Sequence, residues 1–150
     1  MSWTNKTIIL AISAYDENGI NSIKIKYNSE QEIPYYQDKV QITIDENINK
    51  TLNIYATDNY GNISENISFP IMIDKTTPTV DNISANKTSD MITVSATASD
   101  NLSGVASYWY SIDGTNYYRS NDSSYNFGNV SDGSYTAYVY VKDAAGNTSN

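Results

Sequence analysis

The chain has 150 residues and is acidic, with 17 Asp and Glu against 9 Lys and Arg and a formal charge of −8. That balance argues against non-specific nucleic-acid binding, which rests on Lys and Arg contacts to phosphate, and against docking on an anionic membrane surface. With no cysteine and no histidine, the chain has no disulfide framework, no thiolate or imidazole metal site and no nucleophile–histidine pair.

From the start of the chain the apolar period is two. Leu10, Ile12 and Ala14 alternate with Ala11 and Ser13, the pattern of a half-buried strand. A turn at Asp16-Glu17-Asn18-Gly19 follows. Ile23, Ile25 and Tyr27 then alternate with Lys24 and Lys26, and Val40, Ile42 and Ile44 with Gln41 and Thr43. Leu52, Ile54 and Ala56 alternate with Asn53, Tyr55 and Thr57, and Ile67, Phe69, Ile71 and Ile73 with Ser68, Pro70 and Met72. Pro70 cannot donate to a ladder, so its strand is expected at a sheet edge. Residues 74–80 read as a linker and a new first strand, after which the order begins again.

The second half repeats the first. Ile8 to Asp16 aligns with Ile92 to Asp100 at a spacing of 84 residues, and Gly19-Ile20 with Gly104-Val105 after one inserted residue. Asp58-Asn59-Tyr60-Gly61-Asn62-Ile63-Ser64 returns as Asp143-Ala144-Ala145-Gly146-Asn147-Thr148-Ser149 at a spacing of 85. Duplication at fixed period marks a repeat array. In the second copy, Asp113-Gly114 after Tyr110-Ser111-Ile112 is a hairpin signal. Neither copy has a useful helical period or an apolar run near the roughly 20 residues of a membrane span. Met1-Ser2-Trp3-Thr4 does not open a signal peptide, and the expectation is a piece excised from a longer protein.

Seven or so short strands per copy, with turns at short intervals, predict an all-β chain of two tandem Ig-like β-sandwiches. The boundaries fall at 1–73 and 74–150. The first copy lacks a counterpart of the opening strand at 79–80. The second lacks a counterpart of the strand from Ile67 to Ile73. A neighbouring chain supplying a missing strand is the sharper reading of that incompleteness, and a fragment of a longer array the plainer one.

These landmarks, in this order, resemble bacterial Ig-like surface repeats. The resemblance rests on the stretch from Trp3-Thr4-Asn5-Lys6 to Gly19, on Asp100-Asn101-Leu102-Ser103-Gly104-Val105, on Tyr110 to Gly114, and on the two D-x-x-G-N-x-S endings. It implies a spacer, stalk or adhesive module of a large cell-surface or secreted protein, outside the cell, with neighbouring repeats as its immediate partners. Such repeats also accompany adhesins and secreted glycan-degrading enzymes, so an accessory domain of such an enzyme is a further reading. One departure is Lys50, where the second copy has Tyr135 and the family a Tyr that makes a tyrosine corner.

Two constellations are candidates for function. In an Ig-like sandwich the loops bearing Asp100 and Asp143 lie at one end, where the chain enters at Asp74. These three carboxylates could converge at the interdomain junction and suit Ca²⁺, which takes oxygen ligands. The plainer reading is that each Asp fixes its turn by accepting backbone amides, with no cofactor. The second constellation comes from aligning Lys24 with Trp109 and Asn53 with Tyr138. Lysine is seldom buried, so Trp109 should point outward. With Tyr138 and Tyr140 it would form an aromatic patch on the second copy alone, rimmed by Tyr117 or Tyr118. Such a patch fits a host or cell-wall glycan or protein, or simply pairs across strands to stabilise the sheet. No catalytic residues are assigned, and the chain is read as non-enzymatic. Asn-x-Ser/Thr triplets recur, among them Asn62, Asn66, Asn101 and Asn147, and would be acceptors in a glycosylating cell.

Overall fold

The computed structural model describes residues 2–150, which form strands, turns and bends without a helix. The strands are β1 (Ile8–Ser13), β2 (Ile20–Tyr27), β3 (Ile33–Tyr35), β4 (Lys39–Ile44), β5 (Ile48–Asp58), β6 (Ile67–Ile73), β7 (Thr79–Lys87), β8 (Met91–Ser99), β9 (Val105–Ser111), β10 (Tyr118–Ser120), β11 (Ser124–Gly128) and β12 (Tyr138–Asp143). They fall into two compact units. One comprises Lys6–Ile73, and the other Asp74–Asn150 together with Ser2–Asn5. Each unit is an Ig-like β-sandwich with six of these strands.

In unit one, β1 and β4 form one sheet, and β3, β2, β5 and β6 the other in that order. Ile23, Ile25, Leu52, Ile54, Ile71 and Ile73 from the larger sheet meet Val40 and Ile44 from the smaller one in a single buried cluster. β-branched side chains fit such a pleated, half-buried surface. Pro70 sits in β6 at the sheet edge, opposite Thr51, where its missing N–H leaves no ladder bond unmade. The alternation that places Phe69, Ile71 and Ile73 inward fails at Ile67, which is 62 % exposed. It lies on the rim of a groove between β1 and β5.

In unit two, β10, β9 and β12 form one sheet and β11, β8 and β7 the other. Here the core is aromatic as well as aliphatic: Tyr110 and Phe127 are buried with Ile92, Val94 and Ala96, and Tyr108 and Tyr125 pack against them. Tyr110 stacks between Tyr108 and Tyr125 at ring distances of 6.0 and 6.1 Å. Asp113-Gly114 does lie in the β9–β10 hairpin, but within a loop over 112–117 rather than a two-residue turn. Asp113 organises that loop by accepting the Thr115 and Asn116 amides, both at 2.8 Å. Unit two also makes the tyrosine corner: the Tyr135 hydroxyl donates to the Ser131 carbonyl at 3.1 Å. In unit one Lys50 instead pairs with Glu30.

Candidate functional site

The repeated Asp motif forms the same lock in both units. In unit one the Asn62 amide and side chain donate to the two oxygens of Asp58 at 2.8 and 2.7 Å. In unit two Asn147 does so to Asp143, at 2.8 and 2.6 Å. Two residues on, Ser64 Oγ accepts the Ala56 amide at 2.9 Å and Ser149 Oγ the Val141 amide at 3.0 Å. Gly61 and Gly146 take φ of 90° and 93°, a region closed to most side chains. The lock ties the loop after β5 or β12 to its own strand end. The Gly19 carbonyl accepts the Asn59 amide at 3.2 Å, and the Gly104 carbonyl accepts the Ala144 amide at 3.0 Å. These bonds join the two loops at the same end of each sandwich, as the fold class requires.

In unit two a third carboxylate joins this end. Asp74 is fully buried. Its oxygens accept the Thr76 amide at 2.9 Å and the Ser103 amide at 3.0 Å, and its carbonyl accepts Asn147 Nδ2 at 2.8 Å. Burial pushes its carboxyl pKa up, but the bonds from Ser103 and Thr76 outweigh that and hold it below the usual range. Asp100 turns its own loop, with Oδ1 accepting the Leu102 and Gly104 amides at 3.1 and 2.6 Å. One oxygen each of Asp74, Asp100 and Asp143 lie within 4.8 Å of one another. The three residues that sequence spacing suggested for calcium therefore converge, and all three belong to unit two.

Backbone amides engage much of this acidic surface but not all of it. Asp100 Oδ2 is buried and has no hydrogen-bond partner among the described residues. At an effective dielectric near 20, two full charges about 4.8 Å apart repel by roughly 3 kcal/mol. An oxygen-seeking dication would satisfy the free oxygen and relieve that repulsion.

The aromatic constellation lies on the outer face of the β10–β9–β12 sheet. Trp109 and Tyr140 are register partners and stack at 5.7 Å with 9° between their planes. Tyr117 leans on Tyr140 at 5.0 Å, and Lys142 Nζ lies 5.7 Å from the Trp109 ring. Tyr138, 42 % exposed, lies over Gly114, where an added Cβ would meet its ring at 3.2 Å. Of the two rim candidates only Tyr117 belongs to this face. Its neighbour Tyr118 points to the other side, against Tyr125 and Phe127, because successive strand residues alternate. In unit one the aligned surface is polar: Lys24 sits 5.6 Å from the Tyr55 ring and pairs with Glu32 at 3.7 Å.

Residues 73–139 match the family model of the bacterial Ig domain. No curated protein matches the chain. Among solved structures, the chain is similar to fibronectin(III)-like modules of CbhA from Clostridium thermocellum, with 16 % identity, 99 % of this chain and 83 % of that chain covered, and a TM-score of 0.48. It is similar to the FN1–FN3 domains of chicken CNTN1, with 14 % identity, 99 % and 58 % covered, and a TM-score of 0.48. The D00–D0 domain of intimin gives 19 % identity, 100 % and 93 % covered, and a TM-score of 0.44. The second unit is thus similar to the bacterial Ig domain over most of its length, and an Ig-like unit built on the same sequence landmarks precedes it.

Proposed function

We propose that the chain is a structural module, a spacer or stalk segment of a larger surface or secreted protein. The observation that supports this reading is the atom-for-atom repetition of the Asp58 and Asp143 locks. The buried acids that the two units share serve the scaffold, while the exposed surfaces of the units differ. A parent protein lacking residues 2–150 should keep the solution activity of its other domains while losing reach when displayed on cells. Loss of that activity in solution would count against a spacer.

A calcium ion held by Asp74, Asp100 and Asp143 fits the same structural role. The buried, unpartnered Asp100 Oδ2 favours it. Binding at 100 times Kd adds about 2.7 kcal/mol, which raises the midpoint of a domain this small by on the order of 10 °C. Thermal melts with calcium and with chelator test this. A rise abolished by Asp100→Asn supports the site, and coincident curves exclude it.

A second functional reading is a glycan- or protein-binding face at Trp109, Tyr140 and Tyr117, with Tyr138 beside it. The stacked, partly exposed rings on unit two alone favour it. Glycan-array and protein-capture screens of the wild type against Trp109→Ala decide it: binding lost in the variant supports the face, and equal silence ends it.

A further inference from the structure

The outer face of the β10–β9–β12 sheet carries charge as well as rings. β9 lies between β10 and β12. Trp109 on β9 has Tyr140 as its register partner on β12 and Arg119 as its partner on β10. Register partners point to the same face of a sheet, so Arg119 flanks Trp109 on the side away from Tyr140. Lys142, two residues beyond Tyr140, points outward with it, and its Nζ lies 5.7 Å from the Trp109 ring. Two cations therefore flank one indole.

Neither cation is neutralised. The side chains of Arg119 and Lys142 make no ion pair or hydrogen bond among the described residues. Elsewhere in the same unit Lys87 pairs with Asp132 at 3.6 Å, and on the aligned face of unit one Lys24 pairs with Glu32. Acids are not scarce: residues 74–150 hold eight Asp against four basic residues. Yet no acid occupies an outward position of β9, β10 or β12. Asp143 at the end of β12 is buried and bonded by Asn147. Asp113, in the loop over 112–117, spends its oxygens on Ser111, Thr115 and Asn116. A cationic, aromatic surface thus stands on a chain whose formal charge is −8.

We propose that this face takes an acidic polysaccharide, a chain of sugars bearing carboxylates; the inference rests on the glycan-binding reading of the Trp109 face and narrows it. A sugar ring lays its C–H face on the side of the indole away from Tyr140, and its carboxylate accepts hydrogen bonds from the Arg119 guanidinium. A second carboxylate along the chain meets Lys142. Adjacent strands lie about 4.8 Å apart, so Arg119 and Lys142 are rooted roughly 10 Å apart or more across β9, a span of one or two sugars. The planar fork of Arg matches a carboxylate. A peptide suits the face less well. The ladder bonds of the sheet run in its own plane, so a main chain laid over the rings would have its amides covered and unpaired. A sugar keeps its hydroxyls at the rim of the ring, where water still reaches them.

The test titrates the isotopically labelled chain with oligomers of galacturonate, alginate and hyaluronan, with methyl-esterified oligogalacturonate and an oligoglutamate peptide as controls. It follows the Trp109 indole N–H by NMR, with Trp3→Phe assigning the signal of the one other tryptophan. The expected result is that at least one uronate oligomer binds with a Kd below about 1 mM. Its affinity should fall as salt screens the contact. Arg119→Gln or Lys142→Gln should weaken it about tenfold, the loss of one charge-assisted bond, with the rest of unit two's spectrum confirming that the variants are folded. The methyl ester, which has the same rings without the charge, should bind about tenfold more weakly than its parent acid if that acid is the one bound. Four outcomes overturn the proposal. Binding of the ester as tight as that of the acids leaves a glycan-binding face that does not select charge. Oligoglutamate bound as tightly as the uronates makes it a protein-binding face. Uronate affinity unchanged in both charge variants removes the cations from the site. Silence of every probe at millimolar concentration ends the glycan reading together with this one.

Discussion

Asn147 commits both hydrogens of its side-chain amide, one to Asp143 Oδ2 and one to the Asp74 carbonyl. Asn147→Ala removes a charged and a neutral hydrogen bond from partly buried groups, a loss of about 1–3 kcal/mol. Urea denaturation of unit two should show it as a lower midpoint at unchanged slope. The same geometry bears on glycosylation. Asn147 and Asn62 both lie in acceptor triplets, yet each side chain is held by its Asp. Attachment of a glycan replaces an amide hydrogen. Glycopeptide mapping of material from a glycosylating host should therefore find Asn147, whose two hydrogens are both committed, unmodified where Asn101 carries sugar.

Titration belongs to the residue scale too. Hydrogen bonding from Asn62 holds the Asp58 carboxyl below its usual range, and Asp74 is likewise depressed. Groups lowered on folding contribute stability above the unfolded pKa, and that contribution is lost as pH falls through the folded value. Stability should therefore be level from neutral to about pH 5 and decline below about pH 4, the ordinary carboxylate range. Tyr110 acts at the other extreme: burial, with Tyr108 and Asp122 nearby, pushes its hydroxyl up to about 12. Its contribution is complete below the unfolded value near 10 and lost as pH rises towards 12. Ultraviolet titration should show one tyrosine of unit two ionising last, and Tyr110→Phe should remove it.

At the scale of elements, one site on the outer face of β2 and β5, or of β9 and β12, carries two chemistries. Lys24 beside Tyr55 occupies it in unit one, and Trp109 stacked on Tyr140 in unit two. Trp109→Ala should destabilise unit two by about 1.5–3 kcal/mol, from lost apolar burial and the ring pair together. Lys24→Ala should move unit one by under 1 kcal/mol, since it removes only an exposed ion pair and a cation–ring contact. Denaturant melts of the two variants make the comparison. That Trp109 faces outward was legible because its aligned residue is a lysine. Placing Tyr117 rather than Tyr118 beside it depended on where the strand resumes after the loop over 112–117, which alternation within β9 cannot specify. The strands themselves were legible from period two. The exposure of Ile67 was not, because the pattern does not reveal where the covering sheet ends.

The whole molecule is two cores on one chain. The division between Ile73 and Asp74 falls where the landmarks begin to repeat, whereas the grouping of Ser2–Asn5 with unit two depends on a contact that only the fold creates. The convergence of Asp74, Asp100 and Asp143 was readable as loops sharing one end of a sandwich. The orphaned Asp100 oxygen was not, since it depends on which amides each carboxylate reaches. Separate cores make separable unfolding the expected behaviour, because cooperativity follows the buried contacts. Leu52 is fully buried among the aliphatic side chains of unit one, and Val94 among the aromatic and aliphatic side chains of unit two. Leu52→Ala should cost about 2–5 kcal/mol through lost transfer energy and the cavity left behind. In a domain of this size that lowers the melting point by on the order of 10 °C or more. Scanning calorimetry of Leu52→Ala should show the unit-one transition moving alone. Val94→Ala should move the other transition and leave the first in place. A single transition displaced equally by either substitution would mean that the two cores melt as one cooperative body.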